Sequence, residues 1–287
     1  KSEIIMAITS EQVKLLRDKT GAGMMDCKKA LGESAGDMDK AIEYLRKKGA
    51  ATAQKRADRV AKEGIIVTKV SNDNKLGIIL EINCETDFVA RGDDFVNFAN
   101  LTADVVIKNQ PTSVEQLLDM GAADNNKIST HLNDLMAKIG EKLDVRRFVV
   151  LKTNDGLISA YTHLGNKIGV LVELSLDADT YKQIGRDFAM QVAAMNPQYV
   201  SRDQVSIDVI QHELEIYRTQ AKNESKPEQV VEKIANGKLE KFYQEVCLTE
   251  QIFIKDSGKT VKDVLSEAGN NLTLKKFERF HLGEEKK

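Results

Sequence analysis

The 287-residue chain is 41% apolar and 30% charged, ordinary for a globular protein and long enough for more than one structural unit. Its formal net charge of −2 argues against a broad nucleic-acid-binding face, and no apolar run approaches the roughly 20 residues that a membrane helix needs. Three scattered cysteines, Cys27, Cys84 and Cys247, form no CxxC pair, and the four histidines are equally dispersed, so neither a disulfide framework nor a metal site is expected. With no apolar secretory segment at the start, the chain reads as a reduced, cytoplasmic protein. Met6 reads as the natural initiator, with residues 1–5 an added leader.

From the N-terminus, Thr9-Ser10-Glu11-Gln12 fits a capping box that opens a helix carrying Val13 and Leu16, and Gly21 and Gly23 break it. A second short helix runs through Cys27 to Glu33. Asp37 opens a third, with Met38, Ala41, Ile42 and Leu45 at i, i+3, i+4 and i+7, and Gly49 is expected to stop it. Residues 1–50 thus read as a three-helix domain, and the Ala-rich, basic residues 51–63 as a helical linker. Lys55, Arg56, Arg59 and Lys62 on that linker suit a solvated helix face or, alternatively, an RNA contact.

An internal repeat follows. Gly64-Ile65-Ile66 and Lys75-Leu76-Gly77-Ile78-Ile79-Leu80-Glu81 recur 92 residues later as Gly156-Leu157-Ile158 and Lys167-Ile168-Gly169-Val170-Leu171-Val172-Glu173. Each copy predicts two strands and then a helix, over residues 93–107 and 180–195. The fold class is therefore α+β with a duplicated core, its repeats at 64–151 and 152–287. Helices at 113–120 and 127–139 and a strand at 146–151 close the first copy. In the second, Ile207, Ile210, Leu214, Tyr217 and Ala221 step by three and four, and Pro227 opens a helix with Ala235, Leu239, Phe242 and Val246 on one face. They predict a protruding antiparallel helical hairpin over 206–246. A strand at 252–254, a helix at 260–268 and a last strand through Phe280 complete the chain.

The stretch Glu85-Thr86-Asp87-Phe88-Val89-Ala90-Arg91 lies between a strand and a helix. Two readings stand: Asp87 caps the helix with Phe88 packed beneath it, or the acid and aromatic form a stiff exposed probe. Other motifs fail. Gly258-Lys259-Thr260 would need glycine at 253 to make a phosphate loop, and that residue is Phe253. Gly21-Ala22-Gly23 lacks the third glycine of a dinucleotide fingerprint, since Asp26 stands there. Asn100, Asn223 and Asn271 head chance glycosylation triplets, and no nucleophile elbow is present. No cofactor is expected. Met24-Met25 fits either a small core or an adaptable contact surface, and His163 either a structural or a binding histidine.

Leu16-Arg17-Asp18-Lys19-Thr20-Gly21-Ala22-Gly23-Met24-Met25-Asp26-Cys27-Lys28-Lys29-Ala30-Leu31 and Cys84-Glu85-Thr86-Asp87-Phe88-Val89-Ala90 closely resemble the translation elongation factor Ts family. The resemblance continues through Tyr161-Thr162-His163, Lys167 to Glu173 and Ile252 to Asp256, so it spans nearly the whole chain. It implies a guanine nucleotide exchange factor for the GTPase elongation factor Tu, not an enzyme in its own right, with an N-terminal ubiquitin-associated-like domain. The implied contact residues are Arg17, Met24, Met25 and Lys28, then Thr86, Asp87, Phe88 and Val89, then Ile139, Gly140 and His163. Direct nucleotide binding, membrane association and nucleic-acid binding are not implied. Some family members carry a further helical module after the last strand; only four residues follow Gly283, so that module is expected to be absent. A scaffold that binds RNA or protein without exchange activity is the alternative reading.

Overall fold

A computed structural model describes residues 8–56, 58–224 and 227–284. The expected initiator Met6, the leader before it and part of the expected hairpin turn, at 225–226, lie outside these. The described chain is a mixture of helices and small antiparallel sheets, an α+β protein. Contacts group it into two compact units that interleave along the sequence. The first draws on described residues within 1–67, 80–148 and 282–287, the second on 68–79 and 149–281.

In the first unit, α1 (Ser10–Thr20), α2 (Met24–Glu33) and α3 (Met38–Lys55) pack around Leu16, Cys27, Ala30, Leu31 and Ala41. The capping box forms as expected: Thr9 Oγ1 accepts from the Gln12 amide at 3.2 Å, and Gln12 Oε1 from the Thr9 amide at 3.0 Å. Asp37 accepts from the amides of Asp39 and Lys40, both at 3.1 Å, and so opens α3. Gly49, however, does not end that helix. A Cβ at Gly49 would sit 3.3 Å from that of Ala137 on α7 (Ile128–Ile139), so close packing of α3 on α7 outweighs the roughly 1 kcal/mol that a helical glycine costs. The helical linker expected over 51–63 is correspondingly shorter. The helix stops at Lys55, with Arg56, Asp58 and Arg59 in turns and bends.

Strands β1 (Glu63–Val70), β2 (Leu76–Cys84) and β3 (Asp144–Lys152) form one sheet in the order β1-β2-β3, each passing from one unit's segments to the other's. After β2 come α4 (Asp87–Ala90), α5 (Asp93–Asn109) and α6 (Val114–Asp119), with Phe95, Phe98 and Val106 of α5 buried. The buried Glu81 of β2 accepts from Arg147 Nε at 2.7 Å and Arg146 Nη1 at 3.4 Å, which satisfies a charge that would otherwise be costly.

In the second unit β4 (Leu157–Thr162), β5 (Ile168–Leu174) and β8 (Leu274–His281) make an antiparallel sheet in the order β4-β5-β8. The β4–β5 register runs from Leu157 opposite Leu174 to Thr162 opposite Gly169. Helix α8 (Thr180–Met195) covers it, and its buried Phe188 meets Phe253 edge-on at 6.1 Å between ring centroids. The hairpin of α9 (Ile207–Asn223) and α10 (Glu228–Val246) closes on Ala221, Val231, Ala235, Leu239 and Tyr243, with Arg218 forked onto Glu232 at 2.6 and 3.0 Å. The strand expected at 252–254 is shorter. It is one arm of a two-stranded ribbon, β6 (Ile252–Phe253) with β7 (Asp256–Thr260), and α11 (Val261–Ala268) follows.

Two glycines 92 residues apart make the same close approach. A Cβ on Gly64 would lie 2.1 Å from the Ile82 carbonyl oxygen, and one on Gly156 2.1 Å from that of Leu174, itself 92 residues beyond Ile82.

Candidate functional site

The segment after β2 is a turn followed by the single helical turn α4. Thr86, not Asp87, is its N-cap: extended at φ −125° and ψ 152°, it accepts from the Val89 amide at 3.4 Å. Asp87 stands in the first turn and accepts from Arg91 Nη2 at 2.9 Å, a pair one helical turn apart. Phe88 is not packed beneath the helix. Its side chain is 86% exposed, and Ala90 is the residue that turns inward. Burial of the neighbouring Ala90 and ion pairing of Asp87 therefore leave the ring standing free, on a backbone held by its cap.

The turn between α7 and β3 braces this segment. Glu141 Oε2 accepts from the backbone amides of Glu85 at 3.1 Å and Thr86 at 3.0 Å, and its Oε1 accepts from the Thr86 hydroxyl at 2.7 Å. Glu85 returns the contact, accepting from the Lys142 amide at 2.6 Å and from Arg59 Nη1 at 3.2 Å. The Lys142 amide, aided by the Arg59 guanidinium, holds the Glu85 carboxyl below its usual range, against a smaller opposing effect of burial. Ile139 and Gly140 immediately precede this clamp. Gly140 adopts the left-handed conformation at φ 89°, which ends α7 and redirects the chain to Glu141.

The N-terminal candidates reach the same neighbourhood through Gly21, which joins α1 to α2 at φ 67°. A Cβ there would meet Lys138 Cδ at 3.0 Å, so the α1–α2 turn abuts the last turn of α7, while Lys138 itself pairs with Asp94 at 2.8 Å. Arg17 and Lys28 are exposed. Met24 is 60% and Met25 75% exposed, and the small core beside them is filled by Leu16, Cys27 and Leu31 instead. The first unit thus holds ten of the eleven expected positions. His163 belongs to the second unit, on the turn after β4.

On that turn the His163 amide donates to the Ile168 carbonyl at 2.9 Å, and the ring Nδ1 lies 2.9 Å from the Tyr161 hydroxyl. The next residue, Leu164, is 89% exposed on a turn completed by left-handed Gly165 and Asn166. Sequence reasoning passed over Leu164 and Glu141. A leucine followed by Gly-Asn in a strand connection is a signal for the first; nothing local marks the second, which acts 55 residues from its partner.

The rejected phosphate loop is occupied by other bonds. Lys259 pairs with Glu267 at 2.7 Å, and Thr260 caps α11 by accepting from the Asp263 amide. Among the described residues no group of three or more His, Cys, Asp or Glu side chains gathers to hold a metal, and no helix is long and apolar enough to cross a membrane.

Phe88 and Leu164 are thus exposed apolar side chains on short turns, and Met24 and Met25 stand exposed at the start of α2. A family model described as Elongation factor TS matches residues 85–284. The chain is 49% identical over 284 residues to the elongation factor Ts of Prosthecochloris aestuarii, covering 96% of this chain and 99% of that protein. It is 49% identical over 285 residues to that of Chlorobium limicola, with the same coverage, and 45% identical over 283 residues to that of Clostridium botulinum strain Alaska E43, covering 96% and 93%. The chain belongs to the elongation factor Ts family and is a translation elongation factor.

Proposed function

We propose that this chain is a guanine nucleotide exchange factor that binds the GTPase elongation factor Tu in the cytoplasm and promotes release of its GDP. The observation that carries this reading is the solvent-exposed Phe88, presented beside Asp87 on a capped and clamped turn. A GTP-binding protein grips its nucleotide through backbone amides, a lysine and Mg²⁺. A partner need not touch the nucleotide to loosen it. It must bind the nucleotide-free form better, and linkage then weakens nucleotide binding by the same coupling energy.

Tens- to thousandfold weakening requires about 2–4 kcal/mol of differential binding. Burying the Phe88 ring in a cleft of the partner supplies roughly 1.5–3 kcal/mol, so one wedge accounts for much of it. Asp87, released from Arg91, would rearrange hydrogen bonds near the Mg²⁺ site. In this account Arg17, Met24, Met25 and Lys28 hold the partner through a three-helix unit of ubiquitin-associated type, Thr86 and Val89 frame the wedge, and Ile139, Gly140 and His163 add contacts. The matched glycines Gly64 and Gly156 support a duplicated core beneath these surfaces.

The test is release of fluorescent GDP from elongation factor Tu with and without this protein. Accelerated release, with no GTP hydrolysis by this chain alone, is the expected result. An unchanged GDP off-rate contradicts the reading.

A further inference from the structure

The exposed wedge poses a mechanical problem. A four-residue helix has no independent stability, because a single turn does not repay the cost of nucleating it. If α4 frayed, Phe88 would lose its aim and the ordering cost would be charged at the moment of binding. Something outside the turn must hold it, and the Thr86 cap bond of 3.4 Å is long for the purpose.

We infer that Glu141 is the positioning residue of the Phe88 wedge, acting through Thr86; the inference rests on the exchange-factor reading above. One carboxylate takes up three donors of the segment that leads into α4: the amides of Glu85 and Thr86 and the Thr86 hydroxyl. Because the hydroxyl gives its proton to Glu141, its lone pairs remain for the Val89 amide, and the cap is oriented from outside the helix. Charged acceptors make shorter and stronger bonds than neutral ones, and the 2.7 Å contact fits that pattern. The clamp is also reciprocal. Glu85 accepts from the Lys142 amide, so neither turn can move without breaking bonds of the other. Ile139 and Gly140, two residues and one residue before Glu141, are thereby fixed relative to Phe88, and two expected contact patches become one rigid surface.

Two readouts test this. The first needs no partner: amide hydrogen exchange of the segment covering Glu85 to Val89 in the full chain. Glu141→Ala should make those amides exchange roughly ten- to hundredfold faster, with protection of the α5 core unchanged, and Glu141→Gln, which keeps one acceptor oxygen, should fall between. Unaltered protection in Glu141→Ala overturns the inference. The second is GDP release at saturating factor. Glu141→Ala should lower the maximal rate about as far as Phe88→Ala does, and the double variant should be no slower than Phe88→Ala alone, since both remove one device. Additive losses, or a loss in Glu141→Ala that appears only in the half-saturating concentration, overturn it. Should the unaltered protein leave GDP release unchanged, the exchange reading falls by itself, and hydrogen exchange still decides whether Glu141 orders the turn.

Discussion

At the scale of single residues, the site is a matter of which groups are bonded and which are left free. Thr86 and Asp87 both have polar partners within the molecule, and Phe88 has almost no contact of its own. Glu85 makes a pH prediction possible. Its carboxyl is held below the ordinary 4.5 by the Lys142 amide and Arg59, so its contribution is fully present above that value and is lost as the pH falls through the lower folded value. The melting temperature of the unaltered protein should therefore drop more steeply below pH 4.5 than that of Glu85→Gln, as circular dichroism would record. Equal slopes would mean that the Glu85 bonds contribute nothing. Asp87 and Phe88 were legible as a candidate pair because an acid and an aromatic between strand and helix are unusual. That Thr86 does the capping was not, since Thr86 and Asp87 are both good caps and only geometry chooses between them.

At the scale of elements, the strongest local signals were those whose chemistry is complete within four residues. The Thr9–Gln12 box formed as written. Gly49 was misread because a glycine signals a helix stop only where packing does not demand a small residue, and α7 demands one. The β6–β7 ribbon was hidden because Asp256-Ser257-Gly258-Lys259-Thr260 shows no apolar alternation. Two glycine substitutions should behave oppositely in urea unfolding. Gly64→Ala forces a Cβ onto the Ile82 carbonyl at a φ of +146° and should cost about 2–5 kcal/mol. Gly237→Ala, in the interior of α10 with no atom within 4 Å of the added carbon, should stabilise by roughly 0.5–1 kcal/mol. A neutral Gly64→Ala would contradict the close strand approach.

At the scale of the whole molecule, the sequence showed the repeat but not the interleaving, because the chain passes from one unit to the other within β1, β2 and β3 rather than at a loop that would mark a boundary. The family resemblance supplied the expected contact residues, while the long-range Glu141 clamp was visible only in three dimensions. Under the proposed function the N-terminal helices hold the partner and the Phe88 turn opens it. Removing those helices would strip α3 from α7, so Met24→Ala with Met25→Ala is the cleaner test. The double variant should raise the half-saturating factor concentration by about five- to hundredfold at an unchanged maximal GDP release rate, given one to three kcal/mol of lost apolar burial. A reduced maximal rate would assign these methionines to the opening step. The most direct measurement sets Phe88→Ala against the unaltered protein in GDP release from elongation factor Tu at saturating factor, with melting recorded alongside. An exposed wedge predicts a maximal rate at least about tenfold lower, because roughly 1.5–3 kcal/mol of coupling is lost, and a stability change within ~0.5 kcal/mol. A variant that melts several degrees lower yet releases GDP at the normal rate would contradict the account and return Phe88 to a structural role.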